Sequence, residues 1–232
     1  MPSFVPRFVP RFVPPDFLPP RLAGRQEIVG IGGVMTVETL LTAYRQGIFP
    51  WPHAEYPLLW FCPAARAVLD FDRLRVPPRL ARQRRNTPLA FTIDRDFAAV
   101  IHACRDTPRP GSGGTWITAD IVDAYLRLHE AGYAHSVEVW NEAGTLVGGL
   151  YGVAVGGVFS GESMFHTVSN ASKLALLFLV EHLSARGAAW MDIQQLTPHM
   201  EALGAHELPR SVFLNRLAAV QAVRCEFFRF PN

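Results

Sequence analysis

Two carboxylates stand in stretches that otherwise read as buried. Asp192 sits inside Trp190-Met191-Asp192-Ile193-Gln194, and Glu162 follows Ser160-Gly161 at the end of another strand-like run. An ionised carboxylate among apolar neighbours is costly unless a cation or hydrogen-bond donors meet it, so each is either half of a structural ion pair or part of a site. In an extended strand Asp192 and Gln194 project to the same side, where both can face one cleft and accept hydrogen bonds together. Four aromatics, Trp51, Trp116, Phe159 and Phe165, lie beside glycines, prolines or polar turns. Each can be packing, or can stack a nucleotide base or line a pocket for an apolar side chain.

What is missing narrows the chemistry. No glycine-rich loop ends in Gly-Lys-Ser or Gly-Lys-Thr, which argues against nucleotide hydrolysis on a P-loop. His129 and His135 are separated by a helix end and the other histidines are scattered, so no metal is expected. Gly161-Glu162-Ser163-Met164-Phe165 lacks the second glycine of a nucleophile elbow. An enzyme of this kind must receive a substrate already activated elsewhere, and needs no cofactor of its own.

Charge is divided unevenly along the chain. Residues 1 to 115 hold 15 basic and 9 acidic side chains, whereas residues 116 to 232 hold 7 and 11. The strongest basic patch contains Arg73, Arg75, Arg79, Arg82, Arg84 and Arg85 with no acid among them, on a helix expected after Pro77-Pro78. It is a solvated face or a grip on phosphates. The asymmetry favours a polyanion on one face and a cationic partner on another.

The elements that must position these residues alternate between periods. Thr36 and Thr118 are expected N-caps of helices ending at Gly47 and Gly132. Strands are expected over 66–69, 89–93, 135–140, 146–155, 158–162 and 188–194, and helices over 94–104 and from about 170 to 185. Shorter helices should follow Pro198 and Pro209. The outcome is a mixed α/β (α+β) fold. Residues 1–26, with Phe-Val-Pro-Arg repeated, read as a loosely held extended arm, 27–62 as a small N-terminal domain and 63–232 as the larger, catalytic domain. With 49% hydrophobic and 18% charged residues the chain should be globular. Cys62, Cys104 and Cys225 have no paired spacing, and no apolar run reaches the length of a membrane span, so a cytoplasmic location is expected.

The ordered motifs Gly47-Ile48-Phe49-Pro50-Trp51, Gly114-Thr115-Trp116-Ile117-Thr118, His135-Ser136-Val137-Glu138-Val139-Trp140, Leu146-Val147-Gly148-Gly149-Leu150-Tyr151-Gly152-Val153, Gly161-Glu162-Ser163-Met164-Phe165, Asn170-Ala171-Ser172-Lys173 and Asp192-Ile193-Gln194 span most of the chain. In this combination it resembles the bacterial leucyl/phenylalanyl-tRNA–protein transferases. The resemblance implies an acetyltransferase-like (GNAT superfamily) domain after the small one. It implies transfer of Leu or Phe, and less readily Met, from aminoacyl-tRNA to proteins beginning with Arg or Lys, creating an N-terminal degradation signal, by a monomer. Asp192 and Gln194 match the pair that assists deprotonation of the attacking amine, with Asp192 orienting Gln194 and balancing developing charge. Glu162 matches an acceptor-site acid. Trp51, Trp116 and Phe159 match aromatics around the aminoacyl-adenosine end, with Ser160 and Phe165 beside them, and Arg79, Arg82, Arg84 and Arg85 would hold tRNA. Leu179 stands where an aromatic is expected in the side-chain pocket.

Overall fold

The computed structural model of the protein describes residues 14–53, 55–108, 115–222 and 227–228. In chain order the elements are β1 (Ile28–Ile31), α1 (Val37–Arg45), β2 (Phe49–Trp51), β3 (Leu59–Phe61), β4 (Ala65–Asp70), α2 (Pro78–Asn86), β5 (Ala90–Ile93), α3 (Phe97–Asp106), α4 (Ala119–Glu130), β6 (Ala134–Trp140), β7 (Leu146–Val155), β8 (Val158–His166), α5 (Ala171–Ser184), β9 (Trp190–Gln194), α6 (Pro198–Ala202), β10 (His206–Pro209) and α7 (Arg210–Gln221). They form the expected mixed α/β fold, with a small antiparallel sheet β1-β3-β2 ahead of a larger sheet β10-β4-β9-β8-β7-β6-β5.

The two threonine caps form where the sequence places them. Thr36 Oγ1 accepts the Thr39 N–H at 3.1 Å and Thr118 Oγ1 accepts that of Ile121 at 3.3 Å. Below those caps α1 buries Leu40, Leu41, Ala43 and Tyr44, and α4 buries Ile121, Val122, Tyr125 and Leu128. These faces, with α3 and α7, enclose one core against the large sheet, while α5, buried along most of its length, encloses a second on β6, β7 and β8. No helix among the described residues is long and apolar enough to cross a membrane.

Some expectations need correction. The described part of the proline-rich arm is not loosely held: Phe17 packs edge-on against Trp60 at 5.1 Å, Leu18 N–H bonds the Val29 carbonyl, and buried Arg210 donates to the carbonyls of Pro20, Gly24 and Gln26. Proline blocks repetitive hydrogen bonding without preventing its neighbours from packing. Most of the Phe-Val-Pro-Arg repeat, and the glycine-rich loop over 110–114, lie outside the described residues. The third helix starts at Phe97 rather than Asp94, because Asp96 caps it and Asp94 turns into the left-handed region at φ 55°, where its carboxylate receives Ser136 N–H and faces His135 Nδ1 at 2.7 Å. Beyond Glu162, β8 runs on to His166.

Two irregularities interrupt the ladders at the middle of the large sheet. Tyr151 pairs with Ser163 but Gly152 pairs with Gly161, which leaves Glu162 as an extra residue on β8. Likewise Val68 pairs with Asp192 and Ala67 with Gln194, leaving Ile193 extra on β9. Such bulges re-aim side chains that regular alternation would send elsewhere. A close approach holds the first in place: a Cβ on Gly152 would collide with the Ser160 carbonyl oxygen and the Phe159 ring.

Candidate active site

The larger sheet is antiparallel except between β8 and β9, which run parallel and pair only at Ser160 and Asp192. Past that point the strands diverge. The gap is a cleft of about 610 Å³ whose walls include Leu150, Met164, Leu176, Met191 and Ile193, with Glu162 beside them. A sheet that opens in this way leaves backbone groups without ladder partners at the spot where both bulges occur.

Asp192 lies at the root of the opening, and its carboxylate is almost wholly withdrawn from water. Arg66 of β4 meets it with two bonds, Nε to Oδ1 at 2.8 Å and Nη2 to Oδ2 at 2.6 Å. The side chains are 1% and 2% exposed, which makes this a buried bidentate pair. The guanidinium is also held between the rings of Phe49 and Phe213, each centroid 4.7 Å away. Ser160 Oγ donates to Asp192 Oδ2 at 3.2 Å, and the Gln194 N–H donates to Oδ1 at 3.0 Å. Asp192 is therefore spoken for on both oxygens. It reaches Gln194 through the backbone; the side-chain pairing expected from strict alternation is not made.

Gln194 occupies the left-handed region at φ 56°, a conformation seldom adopted by a residue with a side chain. That twist, after the bulge at Ile193, turns its amide toward β8, where Nε2 donates to Glu162 Oε1 at 2.6 Å. Regular alternation would have set Gln194 beside Asp192; the bulge sets it beside Glu162.

Glu162 has a further donor in Tyr44 of α1, which gives its proton to Oε1 at 2.8 Å; Tyr125 of α4 lies 3.4 Å from Oε2, and its one proton goes to the Tyr44 oxygen. The two phenols are 2.5 Å apart, so Tyr125, Tyr44 and Glu162 form one chain of hydrogen bonds. Burial pushes the Glu162 carboxyl up from 4.5 to about 7, and the Asp192 charge adds to it; the bonds from Tyr44 and Gln194 and the Arg66 charge pull the other way without cancelling it. Burial and the Glu162 charge drive both phenols well above their ordinary range, so they remain protonated donors. A carboxyl that titrates near neutrality at the wall of an apolar cleft can exchange a proton with a bound amine.

The other residues singled out from the sequence separate into groups. Phe165 lines the cleft and Ser160 supports Asp192. Phe159 is 1% exposed, in the core beneath α5 and 5.8 Å from the Phe228 ring, so it cannot stack an adenosine. Trp51 and Trp116 do come together, half-buried and with centroids 6.4 Å apart, but at the join of the small sheet and α4 rather than in the wall of the cleft. Leu179 is buried in α5. On α2, Arg79, Arg82 and Arg85 keep contact with solvent, whereas Arg84 is turned inward: it pairs with Glu181 of α5 at 2.8 Å and its guanidinium lies 4.8 Å from the Phe91 ring centroid. Arg84 thus ties α2 to α5. Sequence reasoning missed Arg66, Tyr44 and Tyr125 as site residues; the two tyrosines had the pattern of core positions, and a buried phenol's need for a partner was the available signal.

Comparison with known proteins adds an independent line of evidence. The profile of the family described as leucyl/phenylalanyl-tRNA protein transferase matches residues 68–218, and the profile of that family's N-terminal domain matches residues 33–64. A leucyl/phenylalanyl-tRNA–protein transferase of Oleidesulfovibrio alaskensis is 48% identical over 206 residues, covering 87% of this chain and 83% of its own. The enzyme of the same name from Pseudoalteromonas atlantica is 50% identical over 190 residues, covering 82% and 80%. That of Nitratidesulfovibrio vulgaris is 48% identical over 212 residues, covering 90% of each.

Proposed function

This chain belongs to the leucyl/phenylalanyl-tRNA protein transferase family, and from that premise we propose that Glu162 is the group that takes the proton from the attacking amine. The enzyme transfers Leu or Phe, and less readily Met, from aminoacyl-tRNA to the α-amine of proteins that begin with Arg or Lys. The product carries an N-terminal degradation signal. The reaction belongs in the cytoplasm, where charged tRNA is made.

The observation that carries the assignment is the carboxyl of Glu162, held near pH 7 at the edge of the cleft with the Gln194 amide on it. The donor's side chain enters the cleft, where Met164 and Met191 can adjust to Leu, Phe or Met. One methylene changes binding by only about 1–3 kcal/mol in such a pocket, so overlap among the three is expected. The acceptor's α-amine, with an ordinary pKa of about 8, is brought to the ester carbonyl. Its nitrogen attacks and the carbonyl oxygen takes negative charge, for which backbone N–H groups left without ladder partners past the single β8–β9 pairing are the proposed donors. Gln194 Oε1 accepts from the amine while Nε2 stays on Glu162, which receives the proton. The amide forms, the ester C–O bond breaks, and the tRNA 3′-terminal hydroxyl leaves with the proton that Glu162 returns, which restores the carboxylate. The ester is already activated, so positioning supplies much of the rate. Asp192 is a positioning residue that fixes Gln194 through its backbone N–H.

The direct test is transfer of labelled leucine from Leu-tRNA to a peptide beginning with Arg, beside the same peptide acetylated at its N-terminus. Label on the free peptide alone is expected; label on neither, with charged tRNA intact, would overturn the reading.

The tRNA contact is assigned to the solvent-facing side of α2. Arg79→Glu with Arg82→Glu should weaken tRNA binding at least about tenfold and flatten its salt dependence by about one phosphate contact per arginine lost, without harming transfer from aminoacyl-adenosine. Arg84→Ala should instead lower thermal stability, since it removes the Glu181 pair and the ring contact. Equal losses on both donors from the double charge reversal would contradict this division.

A further inference from the structure

The reaction as described leaves the Asn170-Ala171-Ser172-Lys173 motif without a task. Lys173, the one lysine of the chain, stands half-buried in the first turn of α5. Next to it His166, exposed at the end of β8, holds its Nδ1 3.2 Å from the hydroxyl of Ser172. His199 of α6 completes the corner. His166, Ser172 and His199 line the same cleft as Glu162.

Two features show that this corner is built to receive something. His199 Nε2 is buried without a hydrogen-bond partner among the described residues, and a buried polar atom left in that state is normally matched by a ligand or water. Burial first, and then the neighbouring Lys173 and His166, hold His199 below its ordinary range, so that it is neutral with one ring N–H to donate. The corner is also tied to the arginine helix. Gln83 of α2 accepts from Asn170 Nδ2 at 2.8 Å and donates to the Ser169 carbonyl at 3.3 Å. Those bonds join α2 to the N-terminal turn of α5, so the solvent-facing arginines and Lys173 stand on directly connected elements.

We infer that Lys173, His166 and His199 form an anion subsite that holds the phosphodiester 5′ to the donor's terminal adenosine. This rests on the reading of the chain as an aminoacyl-tRNA transferase. Of the two substrates only the donor is a polyanion. An acceptor beginning with Arg or Lys would be repelled here and drawn to Glu162 instead. One phosphate held against the cleft fixes the angle at which the ester enters, which the arginines of α2, outside the cleft lining, cannot do.

The test compares two donors that differ only in that phosphate, aminoacyl-adenosine and the same compound bearing a 5′-phosphate. For the wild-type protein kcat/KM should be about tenfold higher with the phosphate, the effect of one charge-assisted hydrogen bond. Lys173→Gln should abolish the gain while leaving the rate on aminoacyl-adenosine within about twofold, and Lys173→Arg should keep most of it. His199→Phe should reduce the gain in part. The subsite is wrong if the wild type gains nothing from the phosphate, or if Lys173→Gln lowers both donors equally. Absence of transfer from any donor, Leu-tRNA included, would remove the reaction itself and the subsite with it.

Discussion

Glu162→Gln is expected to lower kcat/KM for an Arg-initiated peptide by about 10²-fold at pH 8, the lower end of what a positioned base supplies. The pH profile should change shape as well. In the wild type the rate rises as Glu162 ionises near 7 and rises again as the acceptor amine loses its proton near about 8. The variant should keep only the second limb. The same shift makes a claim about stability, with a definite sign. Folding raises this carboxyl from 4.5 to about 7, so the folded chain holds the proton more tightly than the unfolded one. Its stabilising contribution is complete below pH 4.5 and is lost as pH climbs through 7, with a total of up to about 3 kcal/mol. The amide that replaces it cannot ionise and escapes that loss. The variant should therefore be the more stable protein at pH 8, by up to about 3 kcal/mol less whatever the altered bonds to Tyr44 and Gln194 cost, and the advantage should vanish near pH 4.5. Denaturant melts at the two pH values measure it. A difference independent of pH, together with an unchanged rate profile, would show that Glu162 is not the titrating base.

That the proposed base is Glu162, whereas the sequence points to the pair Asp192 and Gln194, shows where reading the chain succeeds and where it stops. Local signals were legible: Thr36 and Thr118 cap their helices, and β7 covers the expected 146–155. Both carboxylates and Gln194 stand out by their incongruity in apolar strands. Their relationship does not. A period of two predicts which residues share a face only while the ladder is regular, and the extra residues Glu162 and Ile193 break it on both strands. The partners are also remote, Tyr44 lying 81 residues before Tyr125 and Arg66 126 residues before Asp192. Nothing near Arg66 marks it as more than a basic residue entering a strand. Short β1 and β10 escape notice for a related reason: four residues carry little periodicity, and they are strands because β3 and β4 supply their hydrogen bonds. Arg84 illustrates the converse, a residue in a run of like charges whose position on α2 also gives it a carboxylate partner, Glu181, that the sequence does not reveal.

The Arg66–Asp192 pair is the place where a single substitution should cost the most stability. Arg66→Met keeps an unbranched side chain between Phe49 and Phe213 but leaves Asp192 buried with no counter-charge, a change expected to cost about 3–5 kcal/mol. For a chain of this length that lowers Tm by roughly 10 °C or more. Adding Asp192→Leu should restore much of the loss, because removing both charges avoids the uncompensated one, and a double-mutant cycle then gives the coupling directly. Catalysis should not recover with stability. Without Asp192 the Gln194 N–H loses its acceptor, and with it the tie that holds that residue in its left-handed turn toward Glu162. The double variant should thus be folded and slow, with its defect in kcat and little change in KM for the donor, whose apolar cleft is intact. Recovery of both together would mean that the pair serves only to hold the sheet, and that Gln194 keeps its orientation without it.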